Sequence, residues 1–194
     1  MPNWCFCSYV VTGDSKQVRK LYNTMTELQE MSGYGYTENG FGNTWMGNLV
    51  EKLGCSYKDV YCRGAWSDLY LTNEGNLTFS AETAWDEMSE WRHFVEASFP
   101  GIKIYFLAEE LSMGIYKTND KAHKFFEDSC VISTDDDTYY PDTLDEVFEI
   151  VSEITGRPES SLETYDDCLN AVKAYNDNGD DHYIEIVELS VVDD

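Results

Sequence analysis

Three consecutive aspartates at residues 135–137 are the clearest candidates for a functional site in this sequence, because closely spaced carboxylates can bind a metal ion. Asp135 and Asp137 match the first and third positions of a calcium-binding EF-hand loop, and Glu146 matches the twelfth. That loop needs a glycine at its sixth position for a sharp turn, and Tyr140 stands there instead. The spacing therefore favours a solvated acidic loop, and we expect neither a metal site nor another cofactor.

Paired carboxylates at Glu109 and Glu110 are a second candidate, because glycosidases hydrolyse with two acids. Adjacent residues at a hairpin usually point to opposite sides, which favours two solvated turn residues. The three histidines lie far apart, and none stands in a recognisable catalytic motif: His93, His123 and His182. These patterns do not indicate an enzyme. A hydrolytic or metal-dependent activity of the acidic C-terminal region stays as the alternative.

The six cysteines raise the question of zinc. They are scattered along the chain at Cys5, Cys7, Cys55, Cys62, Cys130 and Cys168. Paired zinc ligands are usually separated by about two to four residues. One residue separates Cys5 from Cys7, and six separate Cys55 from Cys62. Because alternate residues of a strand share a face, Cys5 and Cys7 are predicted to be buried, reduced thiols.

The charge balance excludes several kinds of partner. Among 194 residues, 37 are acidic and 13 are Lys or Arg, which gives a net charge of −24. Nucleic acids and anionic bilayers attract clustered basic side chains, so we expect no direct nucleic-acid partner and no membrane partner. No run approaches the ~20 apolar residues that cross a bilayer, and the first residues do not resemble a signal peptide. We therefore expect an intracellular, cytoplasmic protein.

The acidity is concentrated towards the end of the chain. Residues 119–194 hold 22 acidic and 4 basic side chains, whereas residues 1–118 hold 15 acidic and 9 basic ones. Such an asymmetry suggests regions with separate roles. We predict a first domain at residues 1–118 and an acidic C-terminal subdomain at residues 119–194.

The first domain shows strands that alternate with helices. Strands are predicted at residues 4–11, 66–72, 77–82, 102–108 and 113–117. Helices are predicted to start at Asp14, Asn43 and Thr83, and Trp85 is expected to face inward from the third. This order predicts an α+β fold, namely a ferredoxin-like split β-α-β antiparallel sheet with an inserted helix and its two main helices on one face.

Aromatic side chains also fall on these predicted strands. RNA-binding sheets of this kind expose aromatic side chains among basic ones. Because basic residues are few, we expect the aromatic side chains to face the core or the C-terminal helices: Tyr70, Phe79, Tyr105 and Phe106.

Several short motifs occur together in the first domain. They are Met1-Pro2-Asn3-Trp4-Cys5, Val11-Thr12-Gly13-Asp14, Thr83-Ala84-Trp85, Phe99-Pro100, and Glu109-Glu110 followed by Gly114. In this order they resemble the YubB-type ferredoxin-like family of plasmid and phage proteins. The resemblance implies the same fold and a mobile-element origin, and it implies no established biochemical activity.

The strands of the C-terminal subdomain are predicted at residues 130–133 and 183–192, with a turn at residues 177–181. Glu185 and Glu188 are expected on one wet face of the second strand. We expect this acidic α/β extension to pack on the first sheet.

Two helices are predicted between these strands. The first starts near Asp142, where Thr143 and Glu146 form a capping box. The second starts at Ser160.

The concentrated carboxylates suggest a function. Duplex DNA carries about one negative charge per 1.7 Å of axis, so an acidic surface can attract a groove that binds DNA. The mobile-element context favours inhibition of a host protein, by analogy. We predict a non-enzymatic DNA-mimic inhibitor of a basic host nuclease or other nucleic-acid-binding or defence protein. The alternative is an interaction domain whose charge serves solubility. The predicted partner-binding residues are Asp135, Asp136, Asp137, Asp177, Asp180, Asp181, Glu185 and Glu188.

Overall fold

The computed structural model describes residues 2–127, 129–178 and 183–193. The chain has a mixed α+β architecture and divides into two compact units, one ending at Asp120 and the other spanning Lys121–Val192. Among the described residues, no helix has the length and apolar character needed to cross a membrane.

The first unit is built from strands that alternate with helices. In chain order they are β1 (Trp4–Gly13), α1 (Ser15–Gln29), α2 (Met46–Lys52), β2 (Gly64–Leu71), β3 (Leu77–Ala84), α3 (Ser89–Ser98), β4 (Ile102–Glu110) and β5 (Ile115–Thr118). The strands lie in the order β2-β3-β1-β4-β5, and each of these neighbouring pairs is antiparallel. Strand β1 is thus central, between β3 and β4.

Burial alternates along β1 because successive side chains point to opposite faces. Cys5, Cys7 and Tyr9 are buried, whereas Phe6 is 58% exposed. The prediction of two buried thiols is confirmed. On the buried face the Tyr9 ring contacts Trp91 of α3 edge-on, with the ring centroids 6.3 Å apart. One face of the sheet therefore holds the core, and the opposite, open face carries Phe6.

Helix α1 buries four apolar residues at helical spacing, namely Val18, Leu21, Met25 and Leu28. Asp14 caps this helix, since its Oδ1 accepts hydrogen bonds from the Lys16 and Gln17 backbone N–H groups at 3.0 Å each. The predicted start of this helix is confirmed.

The predicted start of the third helix is wrong. Thr83 belongs to β3, where it pairs with Cys5 of β1, and its hydroxyl donates to the Asp86 carbonyl over 2.8 Å. Trp85 has a φ of 74° and is 44% exposed, so it does not face inward. Helix α3 begins at Ser89, because cross-strand pairing extends β3 beyond the point where the local pattern suggests a helix.

The predicted cap of the inserted helix is also wrong. Helix α2 begins at Met46, and the side-chain amide of Asn43 instead donates to the carbonyls of Gln29 and Met31. Asn43 therefore satisfies carbonyl groups at the end of α1.

A buried ion pair joins the first turn of α3 to the segment before it, and a cation–π contact joins α3 to the sheet. The Arg92 Nε donates to Glu87 Oε1 over 2.7 Å, and the two side chains are 2% and 3% exposed. The guanidinium carbon of Arg92 lies 5.0 Å from the centroid of the Phe106 ring on β4. Burial raises the pKa of Glu87, and the charge of Arg92 opposes this shift. Each charge is tolerated here because the other is present.

We predict that Arg92→Met destabilises the protein by about 3–5 kcal/mol in chemical denaturation, because Glu87 then stays buried without a partner. The folded state holds the Glu87 proton more tightly than the unfolded state does. The variant should therefore lose stability as pH rises from about 4 through the raised pKa. The double variant Arg92→Met, Glu87→Gln should recover part of the loss and most of this pH dependence. A double variant as unstable as the single one would contradict this account.

The second unit combines short strands with two helices. They are β6 (Cys130–Thr134), β7 (Thr138–Tyr139), α4 (Leu144–Thr155), α5 (Tyr165–Asp177), β8 (Ile184–Glu188) and β9 (Ser190–Val191). Strands β7, β6 and β8 form an antiparallel sheet in that order. Its core joins the sheet to both helices through Cys130, Ile132, Val147, Val151, Cys168 and Ile184.

The predicted N-terminal cap is confirmed for the first helix of the second unit and is wrong for the second. Thr143 caps α4 by accepting from the Glu146 N–H, and Glu146 in turn accepts from the Asp142 N–H at 2.9 Å. The predicted start of the second helix at Ser160 is wrong. Helix α5 begins after Thr164, and Asp167 completes its capping box.

We predict that Thr164→Ala destabilises the protein by about 1 kcal/mol, because the Asp167 N–H loses its acceptor. Ser160→Ala is the matched control and should have little effect. Hydrogen bonds from the Thr164 hydroxyl and from the backbone lower the pKa of Asp167. This stabilisation is present above the ordinary Asp pKa and is lost as pH falls through the lowered pKa. Carboxyl NMR titration should show the Asp167 pKa rising in Thr164→Ala. An unchanged Asp167 pKa would exclude the capping box.

Candidate partner-binding surface

The turn between β6 and β7 presents the three consecutive aspartates. The Thr134 hydroxyl accepts from the N–H groups of Asp136 and Asp137, at 3.3 and 2.9 Å. The Thr134 N–H donates to the Asp137 carbonyl over 2.8 Å. These hydrogen bonds form the turn and use neither the Asp136 nor the Asp137 carboxylate. Both residues are exposed.

Asp135 has an additional structural contact. Its Oδ2 accepts from the Tyr183 N–H at 3.0 Å, which connects the β6–β7 turn to the residue before β8. This contact spans 48 residues, so a local sequence pattern could not reveal it.

Asp177, the last residue of α5, lies at the same end of the unit. The neighbouring Asn176 side chain donates to the Ile184 carbonyl at 2.8 Å and accepts from the Ile184 N–H at 3.0 Å. A cavity of about 190 Å³ lies at this end, and the residues around it include Asp135, Asp136, Asp137, Tyr139, Tyr175 and Tyr183. Three of the predicted acids therefore line this cavity, and Asp177 lies at the same end of the unit.

The other predicted acids do not form one group with them. Ile184 pairs with Thr134, whereas Glu188 pairs with Cys130 at the far end of the same strand pair, about 13 Å away. Glu185 and Glu188 lie an odd number of residues apart, so they point to opposite faces of β8. Their predicted placement on one face is wrong. Asp180 and Asp181 lie outside the described residues.

The charge of Asp177 does not favour the fold. The carboxyl end of a helix carries partial negative charge, which disfavours an acidic side chain. Helix α5 is described throughout, and its last turn has no basic side chain. The nearby aspartates of the β6–β7 turn add repulsion. Stability alone therefore does not account for the acidic residues at this end.

We predict that Asp177→Asn leaves the melting temperature unchanged or raises it, because it removes an unfavourable charge from the end of α5. The gain should be larger at low ionic strength than at about 0.2 M NaCl, where charges are screened. Thermal melts at the two salt concentrations make this measurement. A lower melting temperature would mean that Asp177 supports the fold.

Glu110 and the thiols of Cys5 and Cys7 have structural contacts. Glu110 caps the short turn after β4 and accepts from the Met113 N–H at 2.7 Å. The thiols of Cys5 and Cys7 lie 3.8 Å apart, and the Cys5 thiol together with burial raises the pKa of Cys7. Within the described parts of the chain, no group of three or more His, Cys, Asp or Glu side chains is placed to hold a metal ion.

The aromatic side chains of the first sheet are only partly in its core. Phe79 and Phe106 are buried, and Tyr105 is half-buried. The prediction is wrong for Tyr70, which is 58% exposed. Between Ser67 and Tyr70 the register of β2 against β3 shifts, so the alternation upstream does not continue to Tyr70.

Comparison with known proteins gives no family for this chain. It matches no protein-family model, no curated protein and no solved structure. The resemblance to the YubB-type family therefore stays a prediction.

Proposed function

We propose that this protein acts by binding, as an acidic decoy for a basic nucleic-acid-binding protein. The observation that supports the proposal is the grouping of residues 135–137 with Asp177 at one end of the second unit. These residues are exposed, and the turn and the helix that carry them are held by hydrogen bonds through Thr134 and Asn176.

The negative charge of this surface indicates the class of partner that it would bind. A DNA-binding groove is lined by Lys and Arg, and it attracts any surface with closely spaced negative charges. Residues 119–194 carry 22 acidic and only 4 basic side chains, so attraction to such a groove extends beyond the four grouped acids. The decoy would compete with DNA for the groove, and salt would weaken the complex.

The fold supports a further part of the proposal. We infer that the first unit is a ferredoxin-like domain, since its order β2-β3-β1-β4 joins two β-α-β segments in one sheet. Together with the YubB-type resemblance, this favours a protein of a plasmid or phage that acts in the host cytoplasm on a host nuclease or defence protein.

The decisive experiment compares two variants that each lose four negative charges from the second unit. One neutralises the grouped acids through Asp135→Asn, Asp136→Asn, Asp137→Asn and Asp177→Asn. The control neutralises exposed acids elsewhere through Glu149→Gln, Glu153→Gln, Glu159→Gln and Glu163→Gln. Each immobilised protein is incubated with bacterial lysate at low salt, and bound proteins are then displaced with short duplex DNA.

We expect the parent and the control to retain proteins that duplex DNA displaces. The variant of the grouped acids should bind the same proteins about tenfold more weakly, with a shallower dependence on salt. Equal losses in both variants would mean that only net charge matters. If duplex DNA does not displace the captured proteins, mimicry of DNA is excluded.

A further inference from the structure

A second candidate site lies in the first unit, on the open face of the sheet. A cavity of about 610 Å³ is formed there by strands β1, β2 and β3 and by the loop before α2. Its volume is within the usual range for ligand sites, about 300–1,000 Å³. The lining residues that matter for recognition are Trp4, Phe6, Phe41, Ala65, Asp68 and Glu82.

The strand register explains the shape of the cavity floor. Glu82 of β3 lies directly opposite Phe6 of β1 on one side and Ala65 of β2 on the other. Directly opposite side chains have their Cβ atoms about 5 Å apart. The Phe6 ring therefore flanks the Glu82 carboxylate on one side, and the small Ala65 side chain leaves space on the other.

The wall of the cavity is formed by Phe41. Its ring contacts Trp4 edge-on, with the centroids 5.9 Å apart and the ring planes at 83°. The Phe41 N–H donates to the Asn39 side-chain oxygen at 2.7 Å. Aromatic rings thus approach the cavity from both the sheet and the loop.

The loop that carries Phe41 is held by Asn48, which is fully buried on α2. Its amide nitrogen donates to three loop carbonyls, and its oxygen accepts from the Tyr36 N–H at 3.2 Å. The carbonyls are those of Tyr34, Gly42 and Asn43, at 2.9, 3.1 and 3.1 Å. Because these bonds fix the loop before any ligand arrives, binding would cost little ordering entropy.

The charges around the cavity favour a cationic ligand. Asp68 and Glu82 are acidic, and none of the residues described as lining the cavity is Lys or Arg. Aromatic faces attract cations, and carboxylates pair with them. Stacked nucleobases would also suit aromatic side chains, but their phosphates would be repelled by the two acids.

We propose that this cavity binds an arginine side chain from a peptide segment of a partner protein. A planar guanidinium stacks on aromatic rings and pairs with carboxylates in a fixed geometry, and it is more weakly hydrated than an ammonium group. The cavity is larger than one side chain, so the residues flanking the arginine enter it too. This site uses none of the acids of the second unit and does not depend on their proposed role.

The test uses the full chain and a fluorescein-labelled pentapeptide, Gly-Gly-Arg-Gly-Gly. Matched probes replace arginine by citrulline, which has the same shape without charge, or by lysine, and a fourth probe is hexauridine RNA. Fluorescence polarisation gives the affinities, and NMR shifts of Trp4, Phe6 and Phe41 locate the site. We expect the arginine peptide to bind about tenfold more tightly than the citrulline peptide, and also more tightly than the lysine peptide.

Three variants then test the residues. Glu82→Gln removes a charge, Phe41→Ala removes part of the wall, and Ala65→Leu fills the space beside Glu82. The first two should each weaken binding about five- to tenfold, and Ala65→Leu should abolish it. Glu74→Gln in the exposed turn between β2 and β3 is the matched charge control and should bind as the parent does. Circular dichroism checks that each variant is folded.

Other outcomes would overturn the proposal. Equal binding of the citrulline peptide would mean that charge is not recognised, and tighter binding of lysine would exclude a guanidinium site. Binding of RNA in preference to the peptide would identify a nucleobase site. The variant with the four grouped acids of the second unit neutralised should still bind the arginine peptide, which separates this proposal from the decoy function.

Discussion

The buried ion pair between Glu87 and Arg92 places two charges in the core of the first unit, where each needs the other. It ties the first turn of α3 to the segment between β3 and α3, and the Arg92 guanidinium also lies over the Phe106 ring of β4. Next to Arg92, the Trp91 Nε1 donates to the Met46 carbonyl at 3.2 Å, which joins α3 to α2. Helix α2 carries Asn48, and Asn48 fixes the loop that presents Phe41. The open face of the sheet is therefore shaped partly by a contact made beneath its buried face.

Local patterns predict most of the helices and strands of this chain. They fail where contacts with a segment distant in the sequence determine the local structure. The cap at Asp14 and the apolar residues of α1 can be read from neighbouring residues, and the structure has both. Thr83 looks like a helix start, yet pairing with Cys5 keeps it in β3. The hydrogen bonds of Asn48 reach 5 to 14 residues along the chain, to a loop whose composition predicts only irregular structure.

The same limit applies to the candidate site. A run of three aspartates is visible in the sequence, and the exposure of that run follows from its composition. Its placement at the same end as Asp177 depends on the hydrogen bonds between Asn176 and Ile184 and on the pairing of Ile184 with Thr134. Acidic side chains also have structural roles in both units. In the first unit, Lys52 pairs with Glu27 and Lys117 with Asp86, each at 2.7 Å. Acids cap helices in both units, as Asp14 does at α1 and Asp167 at α5.

The central position of β1 has a consequence for how the protein is made. This strand is synthesised before both of its neighbours, which are residues 77–84 and 102–109. Because a ribosome adds about 5–20 residues per second, β1 waits roughly 5–20 s before both partners exist. During that time its apolar side chains are exposed to other nascent chains, and sheets with such distant pairings also fold slowly. Residues 1–118 hold 15 acidic and 9 basic side chains, and most of the negative charge follows them, so charge repulsion between such intermediates becomes strong only once residues 119–194 have been made.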